Sequence, residues 1–418
     1  MYLNRDIEKT IKDAAKDFKV ITIYGGRQIG KSTTVKYLFN KGFDWVTLDN
    51  AEDLAQALDN PRDFLEKHKW PVIIDEIQKA PVLLSYIKMI VDEKKYEWLM
   101  NNKKGQLMYV LTGSNQYELQ HGISESLAGR TAIIDMSSLT RFETINEPGK
   151  AFIPKVEELI ERSKKRKIKY SSSSDIFKTI FTGFMPEVVT KQEERTRFYE
   201  SYINTYIEKD VRQLISATSE LPFRKFLKLV ALRTSQTIVY DKLANDVGIS
   251  VHTCKQWLSI LETSGIIYFL EPYMSNISKR IIKTPKVYFM DTGLCAYLCG
   301  WTDSNILENC AMSGAFLETY VVSEIIKGYL NEGKNPKYFI YYYRDIDDRE
   351  IDILYLEADG ITPIEIKKNT SPSNPTKNFK ALEKYKMPIK TGLVIDFTDG
   401  IRKINDSAYS FPIYLLGI

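Results

Sequence analysis

Residues 20–38 constrain this chain more than any other stretch. A β-branched run, Val20-Ile21-Thr22-Ile23-Tyr24, enters Gly25-Gly26-Arg27-Gln28-Ile29-Gly30-Lys31-Ser32 and leaves through Thr33-Thr34-Val35-Lys36-Tyr37-Leu38. The apolar run predicts a buried strand, and the last segment has a helical pattern. Strand, G-x-x-x-x-G-K-S and helix together are the full context of a Walker A phosphate-binding loop. Its glycines let the backbone curl round phosphates and aim N–H groups at them, at the positive end of the helix. Lys31 is expected to reach the β- and γ-phosphates of ATP, and the Ser32 hydroxyl to bind Mg²⁺. Gly25, Gly26, Arg27, Gln28, Ile29, Gly30 and Thr33 complete the expected nucleotide contacts.

Further strands are predicted at Trp45–Asp49, Pro71–Ile74, Leu107–Leu111 and Ala132–Met136. The one at 71–74 ends in Asp75-Glu76. An acid at the carboxyl end of an apolar strand suits a Mg²⁺ partner, so Asp75 is expected to join Ser32 at the metal. Glu76 follows as the group that orients and deprotonates the attacking water. The strand at 107–111 ends in Thr112-Gly113-Ser114-Asn115, and Ser114 or Asn115 is the candidate sensor of the γ-phosphate. Arg130 is a candidate for offsetting transition-state charge, in its own subunit or in a neighbour. A structural arginine or a contact to an acidic partner surface fits the same position.

With 418 residues, two to four domains are expected. A formal net charge of +4 is small for this length and neither demands nor excludes nucleic acid. Cysteines at 254, 295, 299 and 310 form no metal box, which predicts free thiols and suits a reducing cytoplasm. No apolar run approaches ~18 residues, so neither a membrane span nor a signal peptide is expected.

Residues 162–174, basic then Ser-rich, predict an exposed insertion, and 198–214 carry Phe198, Tyr202 and Tyr206 on one helical stripe. Tyr240–Glu262 reads as helix, Gly-centred turn and Ser-capped second helix. Strands at Ile266–Leu270 and Val287–Met290 follow, joined by a stretch carrying Lys279, Arg280, Lys283 and Lys286, so a winged helix is expected. Its second helix offers only His252, Lys255 and Gln256 outward. Double-stranded DNA and a protein partner both remain open as its target. Near the carboxyl end, Arg349-Glu350-Ile351-Asp352 and, past a Gly360 turn, Ile364-Glu365-Ile366-Lys367 place acids and a lysine on hairpin strands. Asp352, Glu365 and Glu318 of the preceding helix are candidate Mg²⁺ ligands, with Lys367 steadying a water or phosphate.

In their order along the chain, several segments resemble a prokaryotic family. They are GGRQIGKST (25–33), VIIDEIQ (72–78), LTGSN (111–115), SLAGR (126–130), GFMPEV (183–188), YIEKDVR (206–212), SKRIIKTPKVYFMDTGL (278–294) and YYRDIDDREIDIL…PIEIKK (342–368). That family joins an AAA-type ATPase to a region of unknown function built from a winged helix and a PD-(D/E)XK nuclease-like fold. The resemblance implies ATP binding and hydrolysis through Lys31, Ser32, Asp75 and Glu76. The expected fold is α/β and multidomain, with a P-loop core at 1–140, a helical lid at 141–220, the winged helix at 221–295 and the nuclease-like domain at 296–418. The first functional expectation is a cytoplasmic Mg²⁺-ATPase whose nucleotide state moves a DNA- or protein-binding region, with a protein partner or a homo-oligomer as its candidate assembly. An ATP-gated DNA endonuclease using Asp352, Glu365 and Lys367, and a non-catalytic nucleotide-switched scaffold, are the alternatives.

Overall fold

The computed structural model describes residues 2–114, 126–191, 195–207, 220–274, 284–370 and 373–418. Its class is mixed α/β. Five strands, β1 (Val20–Tyr24), β2 (Asp44–Thr47), β3 (Val72–Asp75), β4 (Tyr109–Gly113) and β5 (Thr131–Asp135), form a parallel sheet in the order β2-β3-β4-β1-β5. Parallel strands need helices on both faces, and their continuous apolar runs meet that demand. β4 lies between the strand that enters the P-loop and the strand that delivers Asp75. The register Ile74↔Leu111 and Tyr24↔Gly113 therefore brings three strand ends to one edge.

A second unit holds the helices Glu220–Ala231, Tyr240–Val247 and Val251–Thr263 against a small antiparallel sheet, β6 (Gln236–Thr237), β7 (Ile267–Leu270) and β8 (Lys286–Phe289), ordered β6-β8-β7. Gly248, at φ +90°, ends the middle helix where a Cβ would be strained. Ser250 then caps the next helix, its Oγ accepting from the Thr253 N–H at 3.0 Å. Trp257, Leu258 and Leu261 are buried, while His252, Lys255 and Gln256 are exposed. Lys279, Arg280 and Lys283 lie outside the described residues. Lys286 departs from expectation: it is not on an exposed tip but buried, at 2 % exposure, against the carboxy-terminal unit.

That third unit is a six-stranded mixed sheet, β13-β14-β12-β11-β10-β9. Its strands are β9 (Ile340–Arg344), β10 (Glu350–Glu357), β11 (Gly360–Ile366), β12 (Gly392–Asp396), β13 (Arg402–Asn405) and β14 (Ala408–Pro412). The helix Ser313–Asn331 runs through the middle of the molecule with 15 of its 19 residues buried, as its nearly all-round apolar surface requires. Phe184 stacks on Tyr320 with ring centroids 6.0 Å apart. Lys327 Nζ donates to the Leu139 carbonyl at 3.0 Å, and the Arg141 N–H donates to Glu324 at 2.7 Å. One continuous apolar core consequently runs from Ile7 to Ile418 and crosses all three units.

The stripe expected at 198–214 is present as the helix Arg195–Tyr202, where Phe198 stacks on Tyr202, continued by a π-helical turn at Ile203–Ile207. Its remainder falls outside the described residues. The four cysteines are free thiols. Among the described residues, no helix is long and apolar enough to cross a membrane.

Candidate nucleotide site and a carboxy-terminal charge cluster

The P-loop sits at the carboxyl end of β1. Gln28 (φ +59°) and Gly30 (φ +93°) take left-handed conformations that turn the chain into the helix Lys31–Leu38. A Cβ on Gly25 would lie 2.0 Å from the Met136 carbonyl oxygen, so only glycine fits there. Lys31 is buried, and its Nζ donates to the carbonyls of Gly25 (2.9 Å) and Gly26 (2.7 Å). Arg5, which no motif singled out, braces the loop from below. Its guanidinium donates to Ile29 O (2.9 Å) and Ser137 O (2.8 Å) and pairs with Glu143 at 3.1 Å.

Asp75 receives the Ser32 hydroxyl at 3.0 and 3.1 Å and also the Thr112 hydroxyl. Burial pushes its carboxyl above the ordinary range, and these two donors oppose the rise. Glu76 adopts φ +57°, rare for a residue with a Cβ. Its Oε2 accepts from Ser114 Oγ at 2.9 Å and from the Gln78 amide. Ser32, Asp75, Glu76 and Ser114 are therefore brought together, with Thr112 and Gln78 as unforeseen members. Thr112 sits one register step inside the sheet, and only the strand order makes it a neighbour of Asp75. Asn115 lies outside the described residues. The oxygen set of Ser32 and Asp75 suits a hard cation such as Mg²⁺. Asp135, at the end of β5, is a further carboxyl near Lys31, pushed up by burial to about 7.

Arg130 lies elsewhere. It precedes β5, whose first residue Thr131 pairs with Val20, whereas the P-loop follows Tyr24 at the other end. A strand of that length puts roughly 15 Å between them. Its guanidinium grips Asp92 at 2.6 and 2.8 Å. The same-subunit position expected of a catalytic arginine is thus not the one it occupies.

Beside the P-loop, the turn after the helix Val251–Thr263 is seated on the loop itself. A Cβ on Gly26 would lie 3.3 Å from the Ser264 carbonyl oxygen, and one on Gly265 would lie 3.6 Å from the Gly26 nitrogen. A cavity of about 400 Å³ flanks this contact, lined among others by Ile29, Asp135, Met185, Gly265, Tyr268 and Lys337.

In the carboxy-terminal unit, Lys367 Nζ lies 2.6 Å from Glu365 Oε2, and Asp352 Oδ2 accepts the Ile366 N–H at 2.8 Å. Burial, with Glu318 and Glu365 as charged neighbours, pushes Asp352 well above the carboxylate range. Glu318 faces a different way from the one expected: it accepts from Lys286 (2.9 Å), Tyr288 (2.6 Å) and Ser235 (2.6 Å). Among the described residues, no three acidic, His or Cys side chains are gathered into a metal-holding group. The ligand set Glu318, Asp352 and Glu365 is therefore not assembled, because hydroxyls and a lysine have claimed Glu318.

Residues 17–145, which hold the P-loop and the five-stranded parallel sheet, match the family described as AAA domain, the P-loop ATPase class to which this fold and loop are similar. Residues 173–305 and 313–416 match two domains of unknown function, DUF8612 and DUF4143. Uncharacterised proteins of Mycobacterium bovis and Mycobacterium tuberculosis are each 27 % identical over 373 residues, 88 % of this chain and 75 % of theirs. A solved Walker-type ATPase of Pyrococcus abyssi aligns over 71 % of this chain and 96 % of its own at 13 % identity, with a TM-score of 0.43.

Proposed function

We propose that this chain is a Mg²⁺-dependent ATPase whose nucleotide state moves the three-helix unit relative to the P-loop. The observation that carries the reading is the seat of Ser264 and Gly265 on Gly26. Lys31 holds the carbonyls of Gly25 and Gly26, so reaching a β- or γ-phosphate requires it to release the segment on which that turn rests. A bound Mg²⁺ would supply positive charge to offset the negative charge that develops on the phosphates. Ser32 and Asp75 would hold it. Glu76 takes the proton of the attacking water, and Ser114 with Gln78 fixes its carboxylate. Purified protein with Mg²⁺-ATP should release phosphate and Lys31→Ala should not; a wild-type rate no higher than the variant's would reject the ATPase reading.

The moving unit is, in this proposal, a winged helix. The Gly248 turn, the Ser250 cap and the β7–β8 pair support it. Exposed His252, Lys255 and Gln256, together with Lys279, Arg280 and Lys283, are its candidate contacts to duplex DNA, and a protein partner is the other target to test. The antiparallel β9–β10–β11 followed by parallel β12 supports the PD-(D/E)XK-like reading of the last unit. A cytoplasmic setting and action of Arg130 on a neighbouring copy belong to the same proposal. The ATP-gated endonuclease reading has Lys367 beside Glu365 in its favour and Lys286 among the carboxylates against it. Plasmid DNA incubated with Mn²⁺ and either wild type or Lys367→Ala separates the two.

A further inference from the structure

We propose that Lys286 is the resident cation of the carboxy-terminal acidic cluster, a tethered charge supplied by β8 that keeps divalent metal out. Its Nζ lies 2.9 Å from Glu318 Oε1 and 2.6 Å from Glu350 Oε1, with the Asp352 carboxyl as a further neighbour. The lysine is 2 % exposed, so it reaches this place only because those carboxylates receive it. Each partner comes from another element. Lys286 opens β8 of the three-helix unit, Glu318 belongs to the central helix, and Glu350 and Asp352 lie on β10.

Four carboxyl groups, Glu318, Glu350, Asp352 and Glu365, face two ammonium groups, Lys286 and Lys367. With every carboxyl ionised the cluster would carry two negative charges in excess. Glu365 is 3 % exposed, with Lys367 Nζ 2.6 Å from its Oε2 and the Asp352 carboxyl as its other side-chain neighbour. Buried carboxyls set side by side are costly and are the natural ligands of a hard cation. Removing the lysine's charge raises the excess to three and frees Glu318 and Glu350 to turn inward. A divalent ion is the chemistry that then fits. The lysine also ties β8 to β10 and the central helix, so the unit that touches the P-loop and the unit that holds the acids share one ion-pair network.

The test is Mn²⁺ binding, followed by calorimetry and by the Mn²⁺ resonance signal, on the full chain without nucleotide. An Asp75→Asn background removes the P-loop metal position. Lys286→Met and Lys286→Gln, the latter able to keep hydrogen bonds to Glu318 and Glu350, should each bind one Mn²⁺ at least tenfold more tightly than the parent. Adding Glu365→Gln should abolish that gain. Equal affinity in parent and in both variants, whether tight or absent, overturns the proposal. So does Mn²⁺ binding by the parent that Glu365→Gln removes, a result that needs no lysine variant to fold. Because no nucleotide is present, failure here leaves the ATPase reading standing, and failure of phosphate release leaves this one standing.

Discussion

Glu76 is held by a strained backbone and two side-chain donors, an expensive arrangement for a mere loop acid. Replacing it with glutamine preserves shape and hydrogen bonding but removes the base. Glu76→Gln should therefore lower turnover by ~100-fold or more while ATP binding, measured by calorimetry, stays within a few-fold of wild type. Asp135 makes a second residue-scale prediction. Its folded pKa, about 7, lies above the unfolded value of 3.8. The folded state then binds more protons than the unfolded state between these values. Its contribution is present below the unfolded pKa and is lost as pH rises through about 7. Asp135→Asn should flatten the fall in stability over that window and raise stability at pH 8 by about 1–2 kcal/mol in urea melts.

At the scale of elements, the P-loop depends on a close approach to the chain beyond β5. Gly25→Ala drives a methyl into the Met136 carbonyl at a positive φ, and should cost on the order of 2–4 kcal/mol and impair nucleotide binding. The five P-loop strands were legible in the sequence because apolar runs ending in Gly, Asp-Glu or Thr-Gly-Ser carry both period and punctuation. Their observed bounds differ by a residue or two. The nearness of Ser32, Asp75, Glu76 and Ser114 was likewise legible, since each lies at or beyond the carboxyl end of a strand. Thr112 and Arg5 were not, because their roles come from sheet order and from a contact across the domain. Lys286 misled for a related reason. A lysine among lysines suggests an exposed tip, and its burial rests on carboxylates supplied by strands and a helix farther along the chain.

For the whole molecule, the seat of Ser264 and Gly265 on Gly26 predicts an exchange signature. Mg²⁺ with a non-hydrolysable ATP analogue should speed amide hydrogen exchange at residues 262–268 about tenfold, and Lys31→Ala should show no change. Unaltered exchange in wild type would sink the coupling idea while leaving hydrolysis intact. If the winged-helix reading holds, replacing Lys279, Arg280 and Lys283 should flatten the salt dependence of duplex binding by up to ~3 in slope. Lys286→Ala should not flatten it, since that ammonium is already neutralised inside the protein. The central helix has one more consequence. The β5 strand ends at residue 135, while the helix that lies beside it ends at residue 331. A ribosome extending this chain therefore exposes part of the apolar flank of the P-loop sheet until the helix has been made. That interval is when the nascent protein is most open to aggregation and most in need of a chaperone.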